Sequence, residues 1–179
     1  MRVIAGSLGG RLFDSPHTHR THPMSDKMRG ALFNMLGNID GLTVLDAFAG
    51  TGALSFEAVS RGAKSAVAIE LDRSAQQTIA RNIAALGVED SVTLIQASAG
   101  AWLRKHPHDL FDIVLCDPPY DHLKLNLNLL QRLANRLADT GVLVLSWPGS
   151  EPPFDFPGLT QIEQRSYGDA QLVFYRKAA

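Results

Sequence analysis

The residues best equipped for chemistry are four in a row, Asp117-Pro118-Pro119-Tyr120, directly after the stretch Phe111-Asp112-Ile113-Val114-Leu115 and Cys116. A short apolar run of that kind reads as a buried strand, and open α/β sheets bind ligands beyond the carboxyl ends of their strands. A carboxylate, two prolines and an aromatic ring there suit methylation of an exocyclic amino group on a nucleobase. Such an amine is a poor nucleophile because its lone pair is delocalised into the ring. Two acceptors aimed at its hydrogens, the Asp117 carboxylate and the Pro118 carbonyl, draw the nitrogen towards tetrahedral geometry and turn the lone pair to an electrophilic methyl. Proline fixes φ, so Pro118 and Pro119 hold the loop in place before substrate arrives. Tyr120 offers a face for stacking an extruded base, a contact worth roughly 1–3 kcal/mol. A proline-stiffened strand exit with an exposed tyrosine would account for the tetrapeptide alone. Its company in the chain argues otherwise.

Upstream, Val44-Leu45-Asp46-Ala47-Phe48-Ala49-Gly50-Thr51-Gly52-Ala53 reads as strand, glycine-rich turn and helix start. Gly50 and Gly52 let the backbone turn tightly and approach a ligand where a side chain would collide. A dinucleotide fingerprint would place a third glycine at position 55, which holds Ser55. Glu70 closes the next apolar run, eighteen residues past Gly52, where a carboxylate can accept from both hydroxyls of a ribose. Loss of a pyrophosphate cradle with retention of a ribose acid points to S-adenosyl-L-methionine, which has no phosphate. The candidate cofactor contacts are therefore Asp46, Ala47, Phe48, Gly50, Gly52, Glu70, Leu71 and Asp117. The plainer alternative is that Asp46 and Glu70 are strand-end acids that cap helices.

These residues need a frame. From residue 43 onward, apolar β-branched runs at 43–45, 65–69, 92–95, 111–115 and 141–145 alternate with amphipathic stretches, among them 53–61, 74–86 and 123–137. Nearly unbroken apolar strands covered on both faces predict a doubly wound, Rossmann-like α/β domain. Residues 159–165 and 171–175 predict a final hairpin across Tyr167-Gly168-Asp169, after a proline-rich loop from Pro148 to Pro157. The expectation is a seven-stranded, mostly parallel sheet with a C-terminal antiparallel hairpin. Residues 1–15 predict a small hairpin turning at Gly9-Gly10, followed by a helix over 25–36 with Ser25 as N-cap and Leu32, Phe33 and Leu36 on one face. The division expected is 1–40 as an N-terminal extension and 41–179 as the catalytic domain.

With 179 residues, 45% hydrophobic and 20% charged, the chain has the composition of an ordinary soluble globular protein. One cysteine, Cys116, excludes an internal disulfide framework and suits a reducing cytoplasm. There is no 18-residue apolar run and no signal-peptide pattern. Cys116, Trp102 and Trp147 read as packing residues. The net charge of −1 does not invite nucleic acid, but residues 1–30 carry Arg2, Arg11, Arg20, Lys27 and Arg29 against Asp14 and Asp26. A basic end on a neutral body suits a phosphate-contacting arm. The run His17-Thr18-His19-Arg20-Thr21-His22 lacks a neighbouring cysteine or acidic cluster, so no metal site is expected.

Arg2-Val3-Ile4-Ala5-Gly6, Gly10-Arg11, Ala31-Leu32-Phe33-Asn34, Ser60-Arg61-Gly62-Ala63 and Asp117-Pro118-Pro119-Tyr120 are similar to the RsmD family, the bacterial 16S ribosomal RNA guanine-N2 methyltransferases. So are Pro23, Asp26, Arg29, the glycine turn from Leu45 to Leu54, and Glu57-Ala58. The resemblance spans nearly the whole chain. It implies methylation of N2 of one guanine (guanine 966) in 16S ribosomal RNA, within the small subunit rather than free. It also implies RNA contacts from the N-terminal arm, for which Arg2, Arg11, Arg20, His22 and Arg29 are the candidates, and a block around Pro23–Phe33 folded over the cofactor. Where the family usually has Arg, Thr and Glu, this chain has His22, Met24 and Gly30. After the third strand, where an Asp or Asn often meets the adenine amine, stands the shorter Ser98. No protein partner is implied, and a monomer is expected.

Two other readings remain open at this point. DNA adenine-N6 and protein glutamine-N5 methyltransferases use related signatures, although the former normally carry a further recognition domain and the latter an Asn in place of Asp117. A cofactor-binding RNA assembly factor without catalysis belongs to another class altogether.

Overall fold

The computed structural model describes residues 1–16 and 23–179. Its centre is a seven-stranded sheet of order β3-β2-β1-β4-β5-β7-β6. The strands are β1 (Thr43–Asp46), β2 (Ser65–Glu70), β3 (Val92–Gln96), β4 (Phe111–Cys116), β5 (Leu137–Pro148), β6 (Leu159–Tyr167) and β7 (Ala170–Lys177). The first five are parallel, and β7 pairs antiparallel with both β5 and β6. The expected Rossmann-like sheet is thus present, with its antiparallel C-terminal hairpin. The chain leaves β1 in one direction to reach β2 and β3, and β4 returns on the other side, so the order reverses between β1 and β4. That reversal opens a crevice at the carboxyl ends of those two strands.

Helices α1 (Asp26–Leu36), α2 (Ala53–Ser60), α3 (Arg73–Leu86), α4 (Ala99–Lys105) and α5 (Leu127–Ala134) cover the sheet. One core gathers Leu32 and Phe33 of α1, Phe56 of α2 and Ile79 and Ile83 of α3 against Val44, Ile113 and Phe174. The other packs Trp102 and Leu103 of α4 and Leu130 and Leu133 of α5 against Leu45, Val114, Leu143 and Val173. In β5 the side chains alternate between the two cores, as the two-residue strand period requires. Helix α3 shows why such segments are helical: Ala75, Ile79, Ile83 and Leu86 recur at a spacing of three or four, and the Asp72 carboxylate caps it by accepting from the Ala75 N–H at 2.9 Å. Ser25 caps α1 as expected, accepting from the Met28 N–H at 3.1 Å.

Two expectations need correction. The N-terminal hairpin is present as the antiparallel bridge Arg2 to Leu12 with backbone hydrogen bonds from Val3 to Arg11, Gly10 to Val3 and Phe13 to Met1, but its turn is not Gly9-Gly10; it is a wider loop through Gly6 and Gly10, both with positive φ. Gly6 sits so close to α2 that an added Cβ would lie 2.0 Å from the Ser60 carbonyl oxygen, so the loop follows α2 rather than closing as a two-residue turn. The stretch 123–137 is not one helix. A 3-10 turn over Tyr120–Asn126 precedes α5, which ends at Ala134, because Leu137 is already paired with Phe111 in the sheet. Helix α4, seven residues long, was too short to stand out by periodicity.

Candidate active site

The site lies in the crevice between β1 and β4, where neighbouring strands present Asp46 and Asp117. Asp46 is the last residue of β1 and is paired with Leu115 of β4, two residues before Asp117. Asp46 is almost wholly buried, at 1% exposure. Its Oδ2 accepts from the Ser55 hydroxyl at 2.7 Å, while Oδ1 is buried with no hydrogen-bond partner among the described residues. Burial pushes its pKa up to about 7, against the Ser55 hydrogen bond and with help from the charges of Asp117 and Glu70. Ser55 therefore holds the acid in place, a role its position in the motif did not announce.

After Asp46 the chain makes its glycine turn. Gly50 (φ 57°) and Gly52 (φ 82°) take left-handed conformations that other residues adopt only with strain. A Cβ on Gly52 would also come within 2.8 Å of the Phe56 ring, so a larger residue there would displace the start of α2. The Glu70 carboxylate is tied into this turn: Oε2 accepts from the Gly50 N–H at 2.6 Å and Oε1 from the Asp72 N–H at 2.9 Å. Each oxygen keeps a lone pair free for a further donor. Leu71 beside it is 68% exposed, an apolar side chain that the rest of the fold leaves uncovered at the mouth of the crevice. Ala47 is buried and Phe48 partly buried along the same turn. Ser98 caps α4, its hydroxyl accepting from the Ala101 N–H at 3.1 Å, which leaves its proton as the group it can offer a ligand.

Across the crevice, Asp117 is partly buried and Pro118 buried, while Pro119 and Tyr120 are exposed. Burial pushes the pKa of Asp117 up to about 6, opposed by the neighbouring Ser146 hydroxyl. Tyr120 shares a 2.7 Å hydrogen bond with the same hydroxyl, and burial raises its pKa. Cys116 is buried within the core, where desolvation drives its thiol pKa upward, so it stays a neutral packing residue. Trp102 and Trp147 are buried in the second core.

The expected RNA contacts divide. Arg2 is exposed and lies 3.4 Å from Asp26. Arg20 and His22, with the rest of the histidine run, lie outside the described residues. Arg11 donates to the carbonyls of Ala85 and Leu86, serving the carboxyl end of α3. Arg29 is a correction: it has zero exposure, donates to the carbonyls of Met24 and Arg2 and to Asp26, and sits 3.9 Å from the equally buried Glu57. Its planar fork welds the arm to α1 and α2 and is not on the surface. Glu57 completes the weld by accepting from the N–H groups of Ile4 and Ala5 and from Arg61. A buried acid within the apolar helix Ala53–Ser60 was the available signal.

A family described as "Conserved hypothetical protein 95" matches residues 1–176. The ribosomal RNA small subunit methyltransferase D of Escherichia coli (strain K12) is 36% identical over 146 residues, covering 80% of this chain and 69% of its own length. The chain belongs to the RsmD family. Another protein so named, from Haemophilus influenzae, is 29% identical over 183 residues, covering 98% of this chain and 92% of its own. Among solved structures, yhhF from Escherichia coli is similar with a TM-score of 0.85 and 28% identity, over 100% of this chain and 99% of that one. SMU.776, determined in complex with SAH, has a TM-score of 0.67 at 16% identity over 83% of this chain and 48% of its own, a likeness of fold. As an RsmD-family chain on this fold, it is a methyltransferase.

Proposed function

We propose that this RsmD-family chain transfers the methyl of S-adenosyl-L-methionine to N2 of one guanine in the 16S ribosomal RNA of the small subunit. One observation carries the reading: β1, which leads into the glycine turn, is paired with β4, which leads into the proline-bearing turn of Asp117, so the two motifs leave neighbouring strand ends. A group with a methyl donor and a nucleoside fits the residues present. The Asp46 Oδ1 is a buried acceptor with no donor supplied by the described chain, and suits an ammonium group or its bound water. Glu70 keeps lone pairs for ribose hydroxyls, and the exposed Leu71 suits one face of a base. S-adenosyl-L-methionine supplies, when bound, a methyl made electrophilic by its sulfonium.

The chain's own residues do the rest. Asp117, as carboxylate, accepts from one hydrogen of the target amine, and the Pro118 carbonyl accepts from the other. The nitrogen lone pair is then directed towards the crevice. Tyr120 holds the base by its ring face, and the prolines keep these groups in place beforehand. Ribosomal RNA as the substrate class is supported by the names of the family's relatives. Guanine N2 and the subunit as partner are supported by the resemblance of the N-terminal blocks and Ser60-Arg61-Gly62-Ala63. Exposed Arg2 stands at the arm's surface as a phosphate contact. Comparing nucleotide by nucleotide the 16S ribosomal RNA of a deletion strain and its parent tests this. Loss of one N2-methylguanine, restored by the wild-type gene but not by Asp117→Ala, is expected. Loss of a methylated adenine, or an unchanged RNA, overturns it.

A further inference from the structure

Gln76 is out of place on α3. The apolar stripe of that helix is Ala75, Ile79, Ile83 and Leu86, and the neighbouring Gln77 is exposed, yet Gln76 is buried at 9% exposure. A buried side-chain amide implies partners. Its Nε2 donates to the Glu70 carbonyl at 2.8 Å and to the Leu71 carbonyl at 3.2 Å. An amide nitrogen carries two hydrogens, so one group serves both. Both partners are carbonyl oxygens, which only accept, so the nitrogen and not the amide oxygen must face them. Glu70 ends β2 and α3 begins at Arg73, so Gln76 grips the chain where it turns from strand to helix.

Glu70 and Leu71 are the residues proposed above to meet the nucleoside half of the cofactor. The Glu70 carboxylate is already set by the Gly50 and Asp72 N–H groups at 2.6 and 2.9 Å. Its remaining lone pairs therefore point where the backbone of this turn sends them. Leu71 is largely uncovered, so its backbone sets where the side chain stands. We propose that Gln76 is a positioning residue for the cofactor nucleoside. Its amide fixes the Glu70–Leu71 backbone, and with it the carboxylate that receives the ribose hydroxyls and the apolar face offered to the base. This role rests on the cofactor contacts proposed above for Glu70 and Leu71. Groups fixed beforehand need less ordering when a ligand binds, and acceptors lose their aim when the support is removed.

The test is isothermal titration of wild type, Gln76→Met, Gln76→Glu and Glu70→Ala with S-adenosyl-L-homocysteine and with its 2′,3′-dideoxyribose analogue. Wild type should prefer the ribose form by about tenfold or more, and Glu70→Ala should remove that preference. Gln76→Met keeps the length of the side chain without its donors. It should weaken binding of S-adenosyl-L-homocysteine by about tenfold and of the analogue by about threefold at most, so that the preference falls. Gln76→Glu has nearly the same shape but, at pH 8, only accepts; it should lose at least as much of the preference, because its carboxylate repels both carbonyls. The preference is a ratio of two affinities read on the same folded protein, so a loss of stability alone leaves it unmoved. A wild type that binds neither ligand, or shows no preference, overturns the cofactor contact of Glu70 and the role of Gln76 with it; so does a preference that survives Glu70→Ala. A preference that Glu70→Ala removes and that either folded Gln76 variant keeps overturns the role of Gln76 alone.

Discussion

Asp117 must be charged to accept from an amine, yet its surroundings resist the charge. Burial lifts its pKa to about 6, so kcat should rise about tenfold per pH unit below that value and level off above it. A rate independent of pH between 5 and 7 in single-turnover assays would deny the carboxylate its role. Asp117→Ala should cost several orders of magnitude in kcat with cofactor affinity nearly unchanged, as isothermal titration would show. Asp46 faces a harsher version of the same conflict. Its folded pKa, about 7, lies above the ordinary 3.8, so the fold favours the protonated carboxyl. That contribution to stability is fully present below about pH 4 and is lost as pH rises through about 7. Asp46→Asn should therefore stabilise the cofactor-free protein at pH 8 by about 1–3 kcal/mol, much less at pH 4, while weakening cofactor binding. Thermal unfolding at the two pH values checks the sign, and a larger gain at pH 4 would contradict it. The motif made both acids legible as site residues. Ser55, which holds Asp46 by its hydroxyl, was not legible, because a lone serine signals nothing until its partner from another element is known.

The N-terminal arm shows most clearly what an element adds to its residues. As a charge pattern, Arg2, Arg11 and Arg29 form one basic patch; as structure, Arg2 and Arg11 are exposed, Arg11 with its guanidinium bonded to the end of α3, while Arg29 is sealed between the arm, α1 and α2. Arg29→Ala should thus unfold the protein more easily, by about 3–5 kcal/mol, because it empties a buried site, removes the bonds to the Arg2 and Met24 carbonyls and leaves Glu57 with Arg61 as its remaining cation. Denaturant titration reads this, and an unchanged midpoint with weaker RNA binding would restore Arg29 to the surface. Gly30→Ala should do the opposite. The new Cβ would meet only Ile4, no nearer than 3.6 Å, and alanine favours a helix over glycine by up to about 1 kcal/mol. The long strands and helices were legible because their burial is periodic. The short α4 and the 3-10 turn were not, and the arm's course was set by contacts some fifty residues away, such as Ile4 and Ala5 with Glu57.

At the scale of the whole molecule, a parallel sheet brings together residues that the chain keeps far apart: Asp46 and Asp117 meet because β1 and β4 are neighbours at the reversal of strand order. The order of the motifs along the sequence already implied this, since a glycine turn after the first strand and an acid after the second suit one fold above others. Net charge carries less. At −1, the body does not attract RNA as a whole, so affinity must come from a few cations and from fit. Binding to 16S ribosomal RNA should weaken with salt along a log–log slope of only about −2 to −4, measured by filter binding. The central claim is that Asp117 directs methyl transfer to an amine of ribosomal RNA. Its most direct test is to incubate the protein and Asp117→Ala with tritiated S-adenosyl-L-methionine and, separately, small subunits, naked 16S ribosomal RNA, DNA and protein. Label in ribosomal RNA, abolished in the variant although it still binds cofactor, is the result this account predicts. Label in DNA or protein alone, or equal labelling of ribosomal RNA by the variant, would contradict it.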